Sequence, residues 1–172
     1  IVEGMRAQTD DPAHLLEKLN ARFNKLISSQ LFMFATAFCG VLDLSRETLC
    51  CANAGHPFPF LIQRRQRRCE PIGEGCVGNG LGLLPDSTYQ TCSYPFGGVD
   101  GLFLYTDGAY EIRNLLGEEF SPERIQRLLV QQISQPGTVL IDHVLTSIDQ
   151  FSGGTPNDDD ITVVAIDVNP ME

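Results

Sequence analysis

The chain has 172 residues, a formal net charge of -10 and six cysteines. A chain of this length is one domain or a large part of one, and a domain near this size buries roughly 68–70% of its unfolded surface. The negative charge argues against a nucleic-acid-binding face, and no apolar run approaches the roughly twenty residues a transmembrane helix needs.

No signal peptide is read at the start. The chain opens on Ile1 rather than Met, so residues ahead of it are expected. Asp10-Asp11-Pro12 has the cap and first-turn proline of a helix start. Leu15, Leu19, Phe23 and Leu26, with Leu16 and Ile27 beside them, recur at helical spacing to about Ser28. Residues 34–44 are apolar on both faces and predict a strand central in a sheet. After a turn at Ser45-Arg46-Glu47, residues 49–54 predict its hairpin partner, ending at Asn53-Ala54-Gly55-His56-Pro57.

Residues 58–63 predict a third strand, followed by the basic tip Arg64-Arg65-Gln66-Arg67-Arg68. Such a tip is a solvated turn, or a docking point for an acidic partner. Gly73-Glu74-Gly75-Cys76-Val77-Gly78 spells G-x-G-x-x-G, but it runs into Asn79-Gly80-Leu81-Gly82 instead of opening a helix, and Glu74 would repel phosphate. It reads as a surface loop. Residues 88–94 alternate as a strand. Leu102-Phe103-Leu104-Tyr105 then predicts a strand buried on both faces, stopping at Thr106-Asp107-Gly108.

Ser121-Pro122-Glu123 opens a helix whose apolar face is Ile125, Leu128, Leu129 and Ile133. Pro136-Gly137 breaks it. Residues 139–151 form another, carrying Ile141, Val144, Leu145 and Ile148, with His143 expected to be exposed. The acidic loop 152–160 leads into a last strand over 161–168. One helix, about five strands, two helices and a final strand make an α+β layered domain. The cysteines show no C-x-x-C pair and mostly sit in strand-like runs, where a free thiol behaves as a small hydrophobe. That usage points to a reducing, cytoplasmic compartment.

Two strand ends therefore carry aspartate: Asp107 after one buried strand, and Asn157-Asp158-Asp159-Asp160 before another. Taken singly, each reads as a turn. Together they can aim hard oxygen ligands at one divalent cation, with Gly108 permitting a tight turn beside Asp107. A structural Ca²⁺ loop at 157–160 lacks the alternating acidic spacing and terminal glutamate of an EF-hand.

Asn53-Ala54-Gly55-His56-Pro57, Gly80-Leu81-Gly82, residues 104–111, Asn114 with Gly117 and Phe120, and Asp159-Asp160-Ile161-Thr162 follow one another in a single order. Together they resemble the SpoIIE/RsbU-type branch of the metal-dependent, type 2C-like serine/threonine protein phosphatases, from about Pro12 to Val168. The resemblance implies an αββα sandwich, a centre of two Mg²⁺ or Mn²⁺ ions, and hydrolysis of phosphoserine or phosphothreonine by metal-activated water. It further implies phosphorylated anti-anti-sigma (STAS) proteins as substrates and an upstream receiver or sensor domain. Asp107 and Asp159 match the family's metal aspartates, with Asp160 beside them. His56 stands where relatives often carry histidine, and its expected job is a hydrogen bond that shapes the site. Glu111 either stands behind the metal ligands or caps the turn. The family's further motif, typically Asp-Val-Ser-Gly-His-Gly, is absent from the chain. Residues 1–172 are therefore expected to be the C-terminal portion of one phosphatase domain, lacking its N-terminal strands and inactive alone; a degenerate, catalytically silent binding module is the alternative. An exposed sheet edge left by the missing strands would invite a homodimer.

Overall fold

The computed structural model describes residues 11–27, 33–97, 100–155, 157 and 159–168. In chain order its main elements are α1 (Pro12–Ile27), β1 (Ala37–Asp43), β2 (Thr48–Ala54), β3 (Phe60–Gln63), β4 (Arg68–Pro71), β5 (Val77–Gly78) and β6 (Cys92–Pro95). There follow β7 (Gly101–Tyr105), α2 (Pro122–Gln131), α3 (Gly137–Ser152) and β8 (Val163–Asp167). Short 3-10 turns occupy Glu74–Cys76 and Asp107–Ala109. The fold is mixed α+β, in two compact units: one from the chain up to His56 with Gly73–Phe96, the other from Pro57–Ile72 and from Gly97 onward. No helix among the described residues is long and apolar enough to cross a membrane.

In the first unit, β1 and β2 form the expected hairpin, in register from Ala37 opposite Ala54 to Asp43 opposite Thr48. Its turn is held by the Asp43 carboxylate, which accepts hydrogen bonds from Ser45 and from the Arg46 amide. β2 is the central strand, flanked by β1 on one side and by β5 and β6 on the other. That corrects the reading of β1: among the described residues it lies at the sheet edge, and most of it is only half-buried. Apolarity on both faces reports cover above and below a strand, not whether both edges are paired.

α1 follows its apolar pattern in part: Leu16 is buried, and Leu19 and Phe23 pack against the same core. Its buried stripe is Pro12, Ala13, Leu16 and Asn20, while Leu26 is exposed. The fully buried Asn20 is the polar residue that an apolar pattern does not mark. Its amide donates to the carbonyls of Leu84 and Pro85, and its oxygen accepts from the Gly82 amide at 2.8 Å. The glycine-rich stretch thus needs a polar partner for its backbone, and α1 turns an asparagine inward to supply it. With Cys76 and Leu81 buried as well, that stretch is more tightly tied down than a surface loop.

The second unit is an antiparallel sheet in the order β4-β3-β7-β8. α2 and α3 pack on it through Ile125, Leu129, Leu140, Val144 and Ile148, all fully or nearly fully buried. β7 is central, as its sequence predicts, with Phe103 fully buried and Tyr105 stacked on Phe60 at 5.5 Å. Among the described residues there are eight strands, rather than about five and a final one. β4 escapes the sequence because Arg68-Cys69-Glu70-Pro71 carries no apolar run, and it lies at an edge. The strand expected over 88–94 is shorter and later, at Cys92–Pro95. On α3, Leu145 is exposed and Leu140 takes its place in the core. His143 is not an exposed side chain: its Nε2 is shielded, with no hydrogen-bond partner among the described residues.

The basic tip is partly spoken for. Arg64 pairs with Asp167 at 2.5 Å, and Arg68 pairs with Glu70. Arg65 and Arg67 are exposed.

Candidate metal centre

The pairing of β7 with β8 sets the geometry. Tyr105, the last residue of β7, lies opposite Val163, the first of β8. Whatever follows β7 must therefore lie beside whatever precedes β8. The Thr106 amide donates to the Thr162 carbonyl at 3.0 Å, and the Thr162 amide donates to the Thr106 hydroxyl oxygen at 3.0 Å. That hydroxyl is also 3.3 Å from the Asp160 carbonyl oxygen.

Past Thr106 the chain enters the 3-10 turn Asp107–Ala109, closed by the amides of Tyr110 and Glu111, both 2.9 Å from the Asp107 carbonyl. Gly108 is buried in this turn and meets the other tip directly. A Cβ at Gly108 would stand 2.5 Å from the Asp160 carbonyl oxygen and 3.3 Å from that of Asp159. No left-handed backbone angle is involved, so glycine is required here for space. Two acidic tips some fifty residues apart in sequence therefore share one end of the sheet.

Asp107, Asp159 and Asp160 are all exposed there. Asp107 and Asp159 each accept a hydrogen bond from the next residue's amide, at 3.1 and 2.8 Å. Among the described residues none of the three aspartates forms an ion pair. Carboxylates without a cationic side chain beside them attract a cation. The Tyr110 phenol senses the same field: burial pushes its pKa up first, and the carboxylates of Glu111, Asp107 and Glu119 push it further. Glu111 is exposed, and the contact it makes within the turn is through its backbone.

Carboxylate and carbonyl oxygens suit Mg²⁺ or Mn²⁺. The space a Cβ on Gly108 would fill is a cradle where such oxygens gather. The set is partial, however: among the described residues, no three or more His, Cys, Asp or Glu side chains converge as a complete metal site.

His56 belongs to the first unit and is placed by a residue that the sequence reading left without a role. Asn53 is fully buried at the end of β2. Its side-chain oxygen accepts the His56 amide at 2.7 Å, and its nitrogen donates to the His56 carbonyl at 2.9 Å. Gly55, with φ of 71°, makes the bend between them. Thr106, which bridges the two strand ends, likewise has no role legible in its residue type alone. Asn three residues before His, and Thr next to a strand-end Asp, are the local signals for both.

The family model for Stage II sporulation protein E (SpoIIE) matches residues 1–169. Protein IcfG of Synechocystis is 30% identical over 136 residues, 78% of this chain but 20% of that protein, so the chain spans about a fifth of this curated relative. The SiaA-PP2C domain of Pseudomonas aeruginosa superposes with a TM-score of 0.80 at 20% identity, covering 96% of this chain and 63% of that one. The phosphatase domain of SpoIIE from Bacillus subtilis, presoaked with Mn, superposes with a TM-score of 0.63 at 14% identity, covering 96% and 76%. At these identities the structural likeness is one of fold.

Proposed function

The chain belongs to the SpoIIE family, and from that premise we propose that residues 1–172 form the C-terminal portion of a metal-dependent protein phosphatase domain. The observation that carries this reading is the approach of Gly108 to Asp160, which gathers Asp107, Asp159 and Asp160 at one sheet end. Bound there, a Mg²⁺ or Mn²⁺ pair supplies positive charge to phosphoryl oxygens and acidifies a water molecule. Asp107 and Asp159 are the metal-holding groups, with Asp160 beside them. Thr106 and Gly108 keep the two tips in register, and Glu111 closes the turn behind Asp107. Asn53 fixes the backbone on both sides of Gly55, so that His56 is presented in one orientation.

The substrate in this reading is phosphoserine or phosphothreonine on a signalling protein, of which a phosphorylated STAS protein is the kind proposed, with a receiver or sensor domain upstream as the input. The six free thiols accord with a cytoplasmic setting. One observation favours the second reading, a catalytically silent module that binds a sigma-factor regulator: the ligand set is partial among the described residues. A phosphatase assay with Mn²⁺ and a phosphoserine peptide, on this chain and on a version extended upstream, separates the two. Activity in the extended protein that Asp107→Asn abolishes supports the enzyme. An inactive extended protein supports the binding module.

A further inference from the structure

Three thiols gather in the first unit, away from the aspartate tips in sequence. Cys51 of β2 lies directly opposite Cys92 of β6 in the antiparallel ladder. The thiol of Cys76, on the 3-10 turn Glu74–Cys76, reaches the carbonyls of Cys51 at 3.5 Å and Gly73 at 3.6 Å. A Cβ on neighbouring Gly75 would stand 3.5 Å from the Cys92 sulfur, which places that sulfur beside the turn carrying Cys76. Cys50 points to the other face of the strand, its sulfur 3.3 Å from the Ser93 hydroxyl. Exposure differs within the trio: Cys51 and Cys76 are buried, whereas Cys92 is half-buried.

We propose that Cys92 is an oxidative modification site, which hydrogen peroxide converts to a sulfenic acid and Cys76 then closes to a disulfide. In the first step the Cys92 sulfur attacks one peroxide oxygen; an S–O bond forms, the O–O bond breaks, and the other oxygen leaves as water. In the second, the Cys76 sulfur attacks the Cys92 sulfur; the S–S bond forms, the S–O bond breaks, and a second water leaves with the Cys76 proton. Two thiols lose two electrons in all and one peroxide gains them. Burial pushes the Cys76 thiol up to about 11, and it pushes Cys51 higher still. Neither is therefore a good first attacker, which leaves the accessible Cys92 to meet the oxidant. Cys76 is the partner because it follows Gly75, whose Cβ position lies 3.5 Å from the Cys92 sulfur, and sits on a short turn that can shift, whereas Cys51 is fixed within the central strand.

The link would reinforce an existing contact, since the Tyr94 hydroxyl of β6 accepts the Gly73 amide at 3.0 Å. A Cβ on Gly73 would lie 3.5 Å from the Asn53 side-chain nitrogen, so the crosslink forms beside the residue that holds His56.

The experiment treats the chain with hydrogen peroxide, alkylates the remaining thiols and maps unreduced peptides by mass spectrometry. The expected result is a peptide pair joining Cys76 to Cys92, with Cys50 alkylated. Cys76→Ser should leave a dimedone-trappable sulfenic acid on Cys92. Six alkylated thiols after treatment would overturn the proposal, as would a first-formed disulfide that omits Cys92 or joins it to Cys51.

Discussion

The Gly108 backbone lies against the carbonyl of Asp160, so closely that a Cβ on Gly108 would stand 2.5 Å from that oxygen. The obstacle is backbone rather than a side chain that could swing away. Gly108→Ala should therefore force the two tips apart. An overpacking cost of about 1–3 kcal/mol is expected in urea unfolding, together with weaker Mn²⁺ binding. Unchanged stability and unchanged binding would mean that the contact is not made in solution.

Asn53 closes the turn before His56 with both ends of its side chain while fully buried. Asn53→Ala leaves an amide and a carbonyl of His56 without their partner. A loss of about 1–3 kcal/mol follows from such unpaired groups, and unfolding midpoints of the two proteins measure it. Asn53→Asp keeps the acceptor but loses the donor, so it should fall between them.

Asp167, at the end of β8, joins two elements of the second unit. One oxygen takes Arg64 at 2.5 Å and the other takes the Gly137 amide at 2.6 Å, at the start of α3. Asp167→Ala should cost about 1.5–3 kcal/mol, the range for hydrogen bonds to a charged group, with only a weak dependence on salt because the pair is largely shielded. Thermal unfolding at low and high ionic strength checks both parts.

Cys69 sits buried in β4, and burial, then the Glu70 carboxylate, raises its thiol from 9.0 to about 12. Below the unfolded value both states hold the proton and the contribution to stability is complete. As the pH rises past 9.0 the unfolded chain ionises first, so stability falls until the folded thiol also ionises, near 12. Urea unfolding across this range should show an alkaline loss that Cys69→Ala makes shallower. An identical slope in the variant would show that this thiol does not carry it.

Legibility differed from element to element for physical reasons. β7 and α2 could be read because burial on both faces, or on one helical stripe, leaves a long apolar pattern. β4 could not, because an edge strand of Arg, Cys, Glu and Pro has none. The inward place of Asn20 on α1 depends on partners more than sixty residues away, and no local pattern contains them. In the candidate centre the two aspartate tips stood out as strand ends, but their meeting depends on the long-range pairing of Tyr105 with Val163. Asn53 and Thr106 carry no chemistry of their own that marks them in the sequence; what they do shows only in the backbone groups they hold.

The shared cation is tested most directly by NMR of the ¹⁵N-labelled chain during addition of paramagnetic Mn²⁺. The amide signals of Gly108, Asp159 and Asp160 should broaden together at the lowest additions, and Asp107→Asn should abolish that broadening. Broadening at one tip only, or first at residues far from both, would contradict a cation held between them.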